Sequence, residues 1–278
     1  MFSARLVFVG YEVELRRPAA VLVDLDGTLL DHGGQEAAVE EVCASVARAH
    51  PRLDPRELLY ANARAWTALW REVERLCWLG QLDGYAASRE AWRRALEVCG
   101  CSQDPVVEFA FAEHQRLARA AFRSYPDVQA FLEHAVASGV QLAVVTNGPS
   151  DLQRDKFNAL GVGKLVKAVV ISGEHGVAKP DPAIFQLALD ELGVDPKDAW
   201  CVGDSLATDV AGAHRAGITA IWLNRPEHEV ASSNVPPRIE GLFRVLRGSI
   251  TSTPVVEGGA LEVGSMSSLV ELLEGLVA

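Results

Sequence analysis

Asp24 and Asp26 stand two residues apart in Val21-Leu22-Val23-Asp24-Leu25-Asp26-Gly27-Thr28, directly behind a short apolar run. If that run is a strand, both carboxylates lie at its carboxyl end, where open α/β sheets gather their ligands. Like charges this close cost free energy unless a cation or a shared proton relieves them. Gly27 lets the backbone turn sharply behind them. Taken alone, the motif could be an Asp-rich turn that merely ends a strand. It does not stand alone. Val145-Thr146-Asn147-Gly148 places a hydroxyl and an amide at the head of a helical segment. Ala178-Lys179-Pro180-Asp181-Pro182 fixes a lysine just before a proline-started helix, and Cys201-Val202-Gly203-Asp204-Ser205 is followed by Asp209. Singly, Thr146 reads as a helix cap, Lys179 as a solvated charge and Asp204 as an N-cap. Capping needs do not explain all four segment ends together.

The elements that must position these residues are legible in the punctuation. Residues 19–23, 141–145, 199–202 and 218–223 are short apolar runs, with 168–171 a weaker fifth. Near-continuous apolar character, rather than alternation, predicts strands covered on both faces, as in a parallel sheet. Helical patterns over 127–138, 150–160, 182–192 and 206–216 each end on a glycine (Gly139, Gly161, Gly193, Gly217), the residue a left-handed C′ position favours. The alternation predicts right-handed crossovers and a doubly wound α/β domain.

Residues 32–123 differ in kind. They hold no strand-like segment and read as four helices, starting near Gln35, at Asp54-Pro55, near Tyr85 and at Asp104-Pro105. An Asp N-cap, Pro55 at N1 and Glu57 at N3 make the second start a strong one. The expected organisation is therefore an α/β core over 1–31 and 124–278 with a helical insertion over 32–123. Four of the six tryptophans (Trp66, Trp70, Trp78, Trp92) fall in the insertion. They read as its core in preference to an aromatic wall for a ligand. Residues 225–265 form a polar stretch with weak strand signals, followed by a helix near 267–277.

Composition narrows the partners. The 278 residues are 49% hydrophobic and 23% charged, ordinary values for a globular chain with a large core. Net charge is −11, which repels phosphodiester backbones and anionic headgroups, so neither nucleic acid nor membrane is expected as a partner. The insertion, with 12 Arg against 13 acidic residues, is near neutral, so the rest of the chain carries almost all of the charge. Five cysteines without a zinc or C-x-x-C spacing read as free thiols of a reducing, cytoplasmic compartment. The N-terminus lacks a signal-peptide layout, since Glu12 and Glu14 interrupt it. The seven histidines show no ligand spacing. Only His32, at the hinge of the insertion, stands near enough to the first motif to touch a substrate.

In order, DLDGT, TNG, KPDP and GDSLATD resemble the four motifs of the haloacid dehalogenase (HAD) superfamily, over residues 19–224. The resemblance implies a Rossmann-like core with a helical cap, as in the dehalogenase-like branch. It also implies a phosphatase acting through an aspartyl-phosphate. TNGPSDLQRDKFNALGV and GEHGVAKPDPAIFQLALDELGV look most like members that hydrolyse nucleotides or N-acylneuraminate 9-phosphate. By the same resemblance Asp24 is the nucleophile, and Asp26 the acid and base, its pKa raised by surrounding acids. The resemblance further implies Mg²⁺ held by Asp24, Asp204 and the Asp26 carbonyl, with Asp209 acting from behind. On the same resemblance Thr146 and the N–H groups of Asn147 and Gly148 are expected to hold phosphate oxygens, and Lys179 to neutralise Asp24 and the phosphate. Dehalogenating members lack the second acid, because a halide leaving group needs no proton, so Asp26 argues for phosphate.

The expected substrate is a small phosphorylated metabolite, a nucleotide or sugar phosphate, handled by a monomer or homodimer. A phosphomutase with the same core, told apart by product analysis, is the nearest alternative enzyme. A catalytically silent regulatory or scaffold module is the non-enzyme alternative, against which six matched positions speak. Two stretches exceed the family pattern: residues 1–17, read as an added hairpin or as sequence upstream of the true start, and residues 225–265.

Overall fold

Ala20–Val23 (β3) is four apolar residues, every one buried, and it lies in the middle of the main sheet. A computed structural model describes residues 4–8, 11–101, 103–225 and 260–276. Around β3 lie five more parallel strands: Gln141–Thr146 (β6), Ala168–Ile171 (β7), Ala199–Gly203 (β8), Thr219–Leu223 (β9) and Leu261–Val263 (β10). The order across the sheet is β10-β9-β8-β3-β6-β7. The strand-two alternation divides the core cleanly. Val21, Val23, Leu142, Val144, Trp200 and Val202 face one way, packed under Val128–Ala137 (α5) and Met266–Gly275 (α10). Ala20, Leu22, Ala143, Val145 and Cys201 face the other, under Pro182–Leu192 (α8). Phe131 and Phe185, one on each side, are fully buried, each contributing about 1.5–3 kcal/mol of apolar burial. This is the doubly wound α/β architecture read from the apolar runs.

Four helices follow β3: Gln35–Ala49 (α1), Pro55–Trp78 (α2), Gly84–Val98 (α3) and Asp104–Ala121 (α4). Asp54 caps α2, accepting from Arg56 N at 2.8 Å and Glu57 N at 3.0 Å. The helices bury a core of their own around Val42, Leu58, Trp92, Leu96 and Phe111. Trp66 and Trp70 stack at 5.4 Å and pack on Leu69, Val73 and Ala91, so core packing accounts for them. The chain enters and leaves this unit through Leu30–Asp31 (β4) and Arg123–Ser124 (β5), an antiparallel pair with Arg123 Nε on Asp31 Oδ2 at 3.0 Å.

Departures from the expected elements have local causes. Ala4–Phe8 (β1) and Tyr11–Leu15 (β2) pair antiparallel, matching the hairpin reading of residues 1–17. The helix expected over 206–216 is a wide π turn over Leu206–Val210, then Ala211–Arg215 (α9). Val210 N reaches back five residues to Ser205 O, and the extra residue turns Asp209 onto Ser205 N at 3.0 Å. Leu261–Val263 supplies a sixth strand at the edge of the sheet, while 226–259 of the polar stretch lie outside the described residues. Arg225 clamps this edge to the first motif. Its guanidinium donates twice to Asp127 at 3.0 Å and once to Thr28 O at 3.1 Å, over the Tyr125 ring. No helix among the described residues is long and apolar enough to cross a membrane.

Candidate active site

The carboxyl ends of β3, β6 and β8 converge with the 176–182 loop, and the expected residues meet there. Asp24 N continues the ladder of β3 onto Val202 O at 2.9 Å, so the Asp24 side chain leaves the sheet beside β8. Gly27 then turns the chain with φ of +80°. A side chain there would put its Cβ 2.4 Å from Asp204 Oδ2, so Gly27 is both the turn and the room for Asp204.

Lys179 is the hub. Its side chain is 3% exposed, and its ammonium makes three bonds: to Asp24 Oδ1 at 2.5 Å, Asp209 Oδ1 at 2.6 Å and Val145 O at 2.9 Å. All three of its donors are thereby used. Burial alone would favour the neutral amine, but Asp209 and Asp24 hold it charged, above the ordinary lysine range. Asn147 holds the lysine backbone in place: its Oδ1 accepts from Lys179 N at 2.8 Å and its Nδ2 donates to Lys179 O at 2.9 Å.

Asp24, Asp204 and Asp209 form the acidic side, with one oxygen from each lying within 4.8 Å of the others. Burial, then the charge of Asp209 and more weakly that of Asp26, pushes the Asp24 carboxyl up to about 7 against the pull of Lys179. Asp204 sits at the mouth, open to solvent on one side. Withdrawal from water on the other side, followed by the charges of Asp24 and Asp209, raises it well above the usual range. Three carboxylates against one ammonium leave a net deficit of positive charge among hard oxygen donors, which is the donor set a small divalent cation suits. Asp209 already spends one oxygen on Lys179 and the other on Ser205 N. Asp24 spends Oδ1 on Lys179, so the oxygens left open among the described residues are Asp24 Oδ2 and the carboxylate of Asp204.

Asp26 corrects the sequence reading. Its carboxylate does not join the acidic group. Instead Gln153 Nε2 donates to it at 2.8 Å, Lys156 Nζ at 2.9 and 3.0 Å, and His32 Nε2 lies 3.6 Å away. Burial would raise its pKa; Lys156, His32 and these bonds outweigh burial and bring it down to about 2, not up. His32 thus faces Asp26. Thr146, 1% exposed, accepts from Gln153 Nε2 at 2.7 Å, and Gly148 N donates to Ser172 Oγ at 2.9 Å, so that N–H already has a protein partner. Gln153 and Lys156 were not singled out in the sequence. The signal for them is their spacing: one turn apart, on the helix Ser150–Ala159 (α6) that opens directly after Thr146-Asn147-Gly148.

Comparison with known proteins follows the same lines. The model of the haloacid dehalogenase-like hydrolases matches residues 18–217. The phosphoserine phosphatase of Thermus thermophilus is 35% identical over 240 residues, covering 77% of this chain and 93% of its own. The human N-acylneuraminate-9-phosphatase is 28% identical, covering 76% of this chain and 84% of its own. Among solved structures, the L-2-haloacid dehalogenase of Xanthobacter autotrophicus superposes with a TM-score of 0.63, over 94% of this chain and all of that one, at 23% identity. The last is a likeness of fold.

Proposed function

The chain belongs to the haloacid dehalogenase-like hydrolase family, and from that premise we propose that it is a Mg²⁺-dependent phosphomonoesterase working through an aspartyl-phosphate on Asp24. The carrying observation is the division of labour between two acids of one motif. Asp24 is buried against Lys179 beside the acidic group, while Asp26 is held apart by its own cation. A dehalogenase has no use for that second acid.

In the first half-reaction an Asp24 oxygen attacks phosphorus, the bond from phosphorus to the leaving oxygen breaks, and Asp26 supplies that oxygen with a proton. Asp26 is an ionised carboxylate beside Lys156, so it must first take up a proton; the negative phosphate arriving next to it favours that uptake. In the second half-reaction Asp26 removes a proton from water, the water oxygen attacks phosphorus, and the Asp24–phosphorus bond breaks. Lys179 holds Asp24 in line and faces the phosphoryl charge. Thr146 presents its hydroxyl at the carboxyl end of the neighbouring parallel strand β6, with Asn147 locking the lysine loop behind it. Asp24, Asp204 and the Asp26 carbonyl would hold Mg²⁺, and Asp209 would fix Lys179 and the Ser205 turn around it. When bound, the cation neutralises phosphoryl oxygens and aligns them for attack.

The four-helix unit over 32–123 would serve as the cap that selects the leaving group. The substrate is a small phosphorylated metabolite. The names of the relatives span amino-acid and sugar phosphates, so a panel of phosphoserine, sugar phosphates, nucleotides and phosphoglycolate is the direct search. Free cysteines at all five positions suit a reducing compartment such as the cytoplasm.

The deciding experiment is on Asp26. Asp26→Asn leaves the nucleophile and the Lys179 hub intact, so its defect should depend on the leaving group. A basic alkoxide needs the proton, and p-nitrophenolate needs it much less. The expected loss in kcat/KM is about 10²–10⁴-fold on an alkyl phosphate and markedly smaller on the aryl one. Phosphoenzyme should build up with the aryl substrate, because the water is no longer activated. Equal loss on both substrates, with the fold intact, would remove Asp26 from proton transfer.

The cation has its own test. EDTA treatment should abolish turnover and Mg²⁺ should restore it, whereas Ca²⁺ should inhibit because its larger, looser shell spoils the in-line geometry. Asp204→Ala should raise the Mg²⁺ concentration for half-activity by at least about tenfold. Full activity after EDTA treatment would refute the metal assignment.

A further inference from the structure

The acid is held from a helix outside all four motifs. Gln153 and Lys156 project from the same face of α6, and together they form a closed network on Asp26. Gln153 Nε2 donates to Asp26 Oδ2 at 2.8 Å and to Thr146 Oγ1 at 2.7 Å. Lys156 Nζ donates to both Asp26 oxygens, at 2.9 and 3.0 Å, and to Gln153 Oε1 at 2.8 Å. Every polar atom of the Gln153 amide is therefore engaged, and its orientation is determined by Lys156 on one side and two acceptors on the other. Gln153 is 1% exposed and the Lys156 side chain 19%. Among the described residues, neither makes a hydrogen bond to Asp24, Asp204, Asp209 or Lys179.

The opposite face of α6 is equally committed. Asp151 accepts from Gly84 N at 3.0 Å and Tyr85 N at 2.9 Å, so a core residue caps the start of α3, whose own Asp83 makes no capping bond. One turn on, Asp155 accepts from the Tyr85 hydroxyl and from Arg119 Nε at 2.7 Å. The helix that grips Asp26 is thus pinned between the sheet edge and the helical unit, and its inner side chains have a fixed base to act from.

We propose that Lys156, seated by Gln153, is the positioning residue for Asp26: it keeps that carboxylate out of the acidic group around Asp24 and aims it at the leaving oxygen. The inference rests on the reading of Asp26 as the proton carrier. A carboxylate released from this grip would turn freely about two torsions and be drawn to any cation held by Asp24 and Asp204. Misplacement of that kind costs rate in the step that needs the proton and little in the step that does not. Lys156 acts through Asp26, so its loss must copy the leaving-group pattern of Asp26→Asn and add nothing once Asp26 is gone.

The test is kcat and KM with Mg²⁺ present, for one alkyl and one aryl phosphate, in wild type, Lys156→Met, Asp26→Asn and the double variant. Lys156→Met should lower kcat on the alkyl phosphate by about 10–100-fold and on the aryl phosphate by less than about threefold, with KM little changed. The double variant should be no slower than Asp26→Asn alone on the alkyl phosphate. Lys156→Arg should recover most of the alkyl rate by keeping the charge. If Lys156→Met does not fold, Lys156→Gln, which retains a donor, carries the same comparison. Equal losses on the two substrates, or additive losses in the double variant, would reduce Lys156 to a structural residue while leaving the Asp26 reading intact. Absence of a leaving-group effect in Asp26→Asn itself would overturn both, and would be seen in that variant alone.

Discussion

Asp24→Asn should lower kcat/KM by at least about four orders of magnitude, because the attacking carboxylate is replaced by an amide of nearly the same shape. In free energy that is about 5.5 kcal/mol or more of lost transition-state stabilisation. The loss should be the same on alkyl and aryl phosphates, since no bond forms to phosphorus with either. No phosphoenzyme should be trapped by acid quench, in contrast to Asp26→Asn. The fold should survive: the amide oxygen can still accept from Lys179, and one of three crowded carboxylates has lost its charge. Circular dichroism and a melting point close to wild type check that premise. Retention of more than roughly a tenth of wild-type activity would move the nucleophile elsewhere.

What could be read before the structure, and what could not, divides along physical lines. Five strands were legible because a strand covered on both faces must be apolar along its buried length, and residues 20–23, 142–145, 168–171, 199–202 and 220–223 are so. Leu261–Val263 was not placed. It is three residues long, partly exposed, and owes its strand character to pairing with β9, Leu261 opposite Ile221. The π turn over Leu206–Val210 was hidden too, since its apolar spacing is helical and only the Ser205–Asp209 bonds mark the extra residue.

The same division runs through the site. Asp24, Thr146, Lys179, Asp204 and Asp209 were legible because strand ends are where side-chain chemistry is expected and these types have few other reasons to cluster there. Gln153 and Lys156 look like ordinary solvated helix residues until α6 is laid against the end of β3. The error on Asp26 has the same origin. Two acids separated by one residue read as mutual neighbours in the sequence, yet the chain carries one to Lys179 and the other to Lys156.

Removing Lys179 should be the costliest single change to the folded protein. Lys179→Met takes the ammonium from between Asp24 and Asp209, both buried, and leaves Val145 O without the bond it accepts from Lys179. Breaking such a pair from one side costs about 3–5 kcal/mol, which for a chain of this size lowers the melting point by on the order of 10 °C. The deficit should depend on pH with a definite sign. The Asp24 carboxyl already stands near 7, above its unfolded value, and loss of Lys179 can only raise it. A group with a raised folded pKa binds more protons when folded, so stability falls as pH rises through and beyond the ordinary carboxylate range. EDTA-treated Lys179→Met should therefore sit closest to wild type near pH 5 and furthest above pH 7.

Activity should fall by at least about 10³-fold with it, because Asp24 loses its alignment and the phosphoryl group its counter-charge. The two losses can be separated. Adding Asp209→Asn to Lys179→Met removes one of the stranded carboxylates and should return much of the melting temperature, but none of the turnover, since nothing replaces the ammonium beside Asp24. Calorimetry across pH and steady-state rates on the two variants supply both readings. A Lys179→Met protein that melts like wild type would show that the buried pair is not what holds this edge of the sheet. Recovery of turnover in the double variant would show that Lys179 only neutralises Asp209, and its place beside the reacting group would have to be given up.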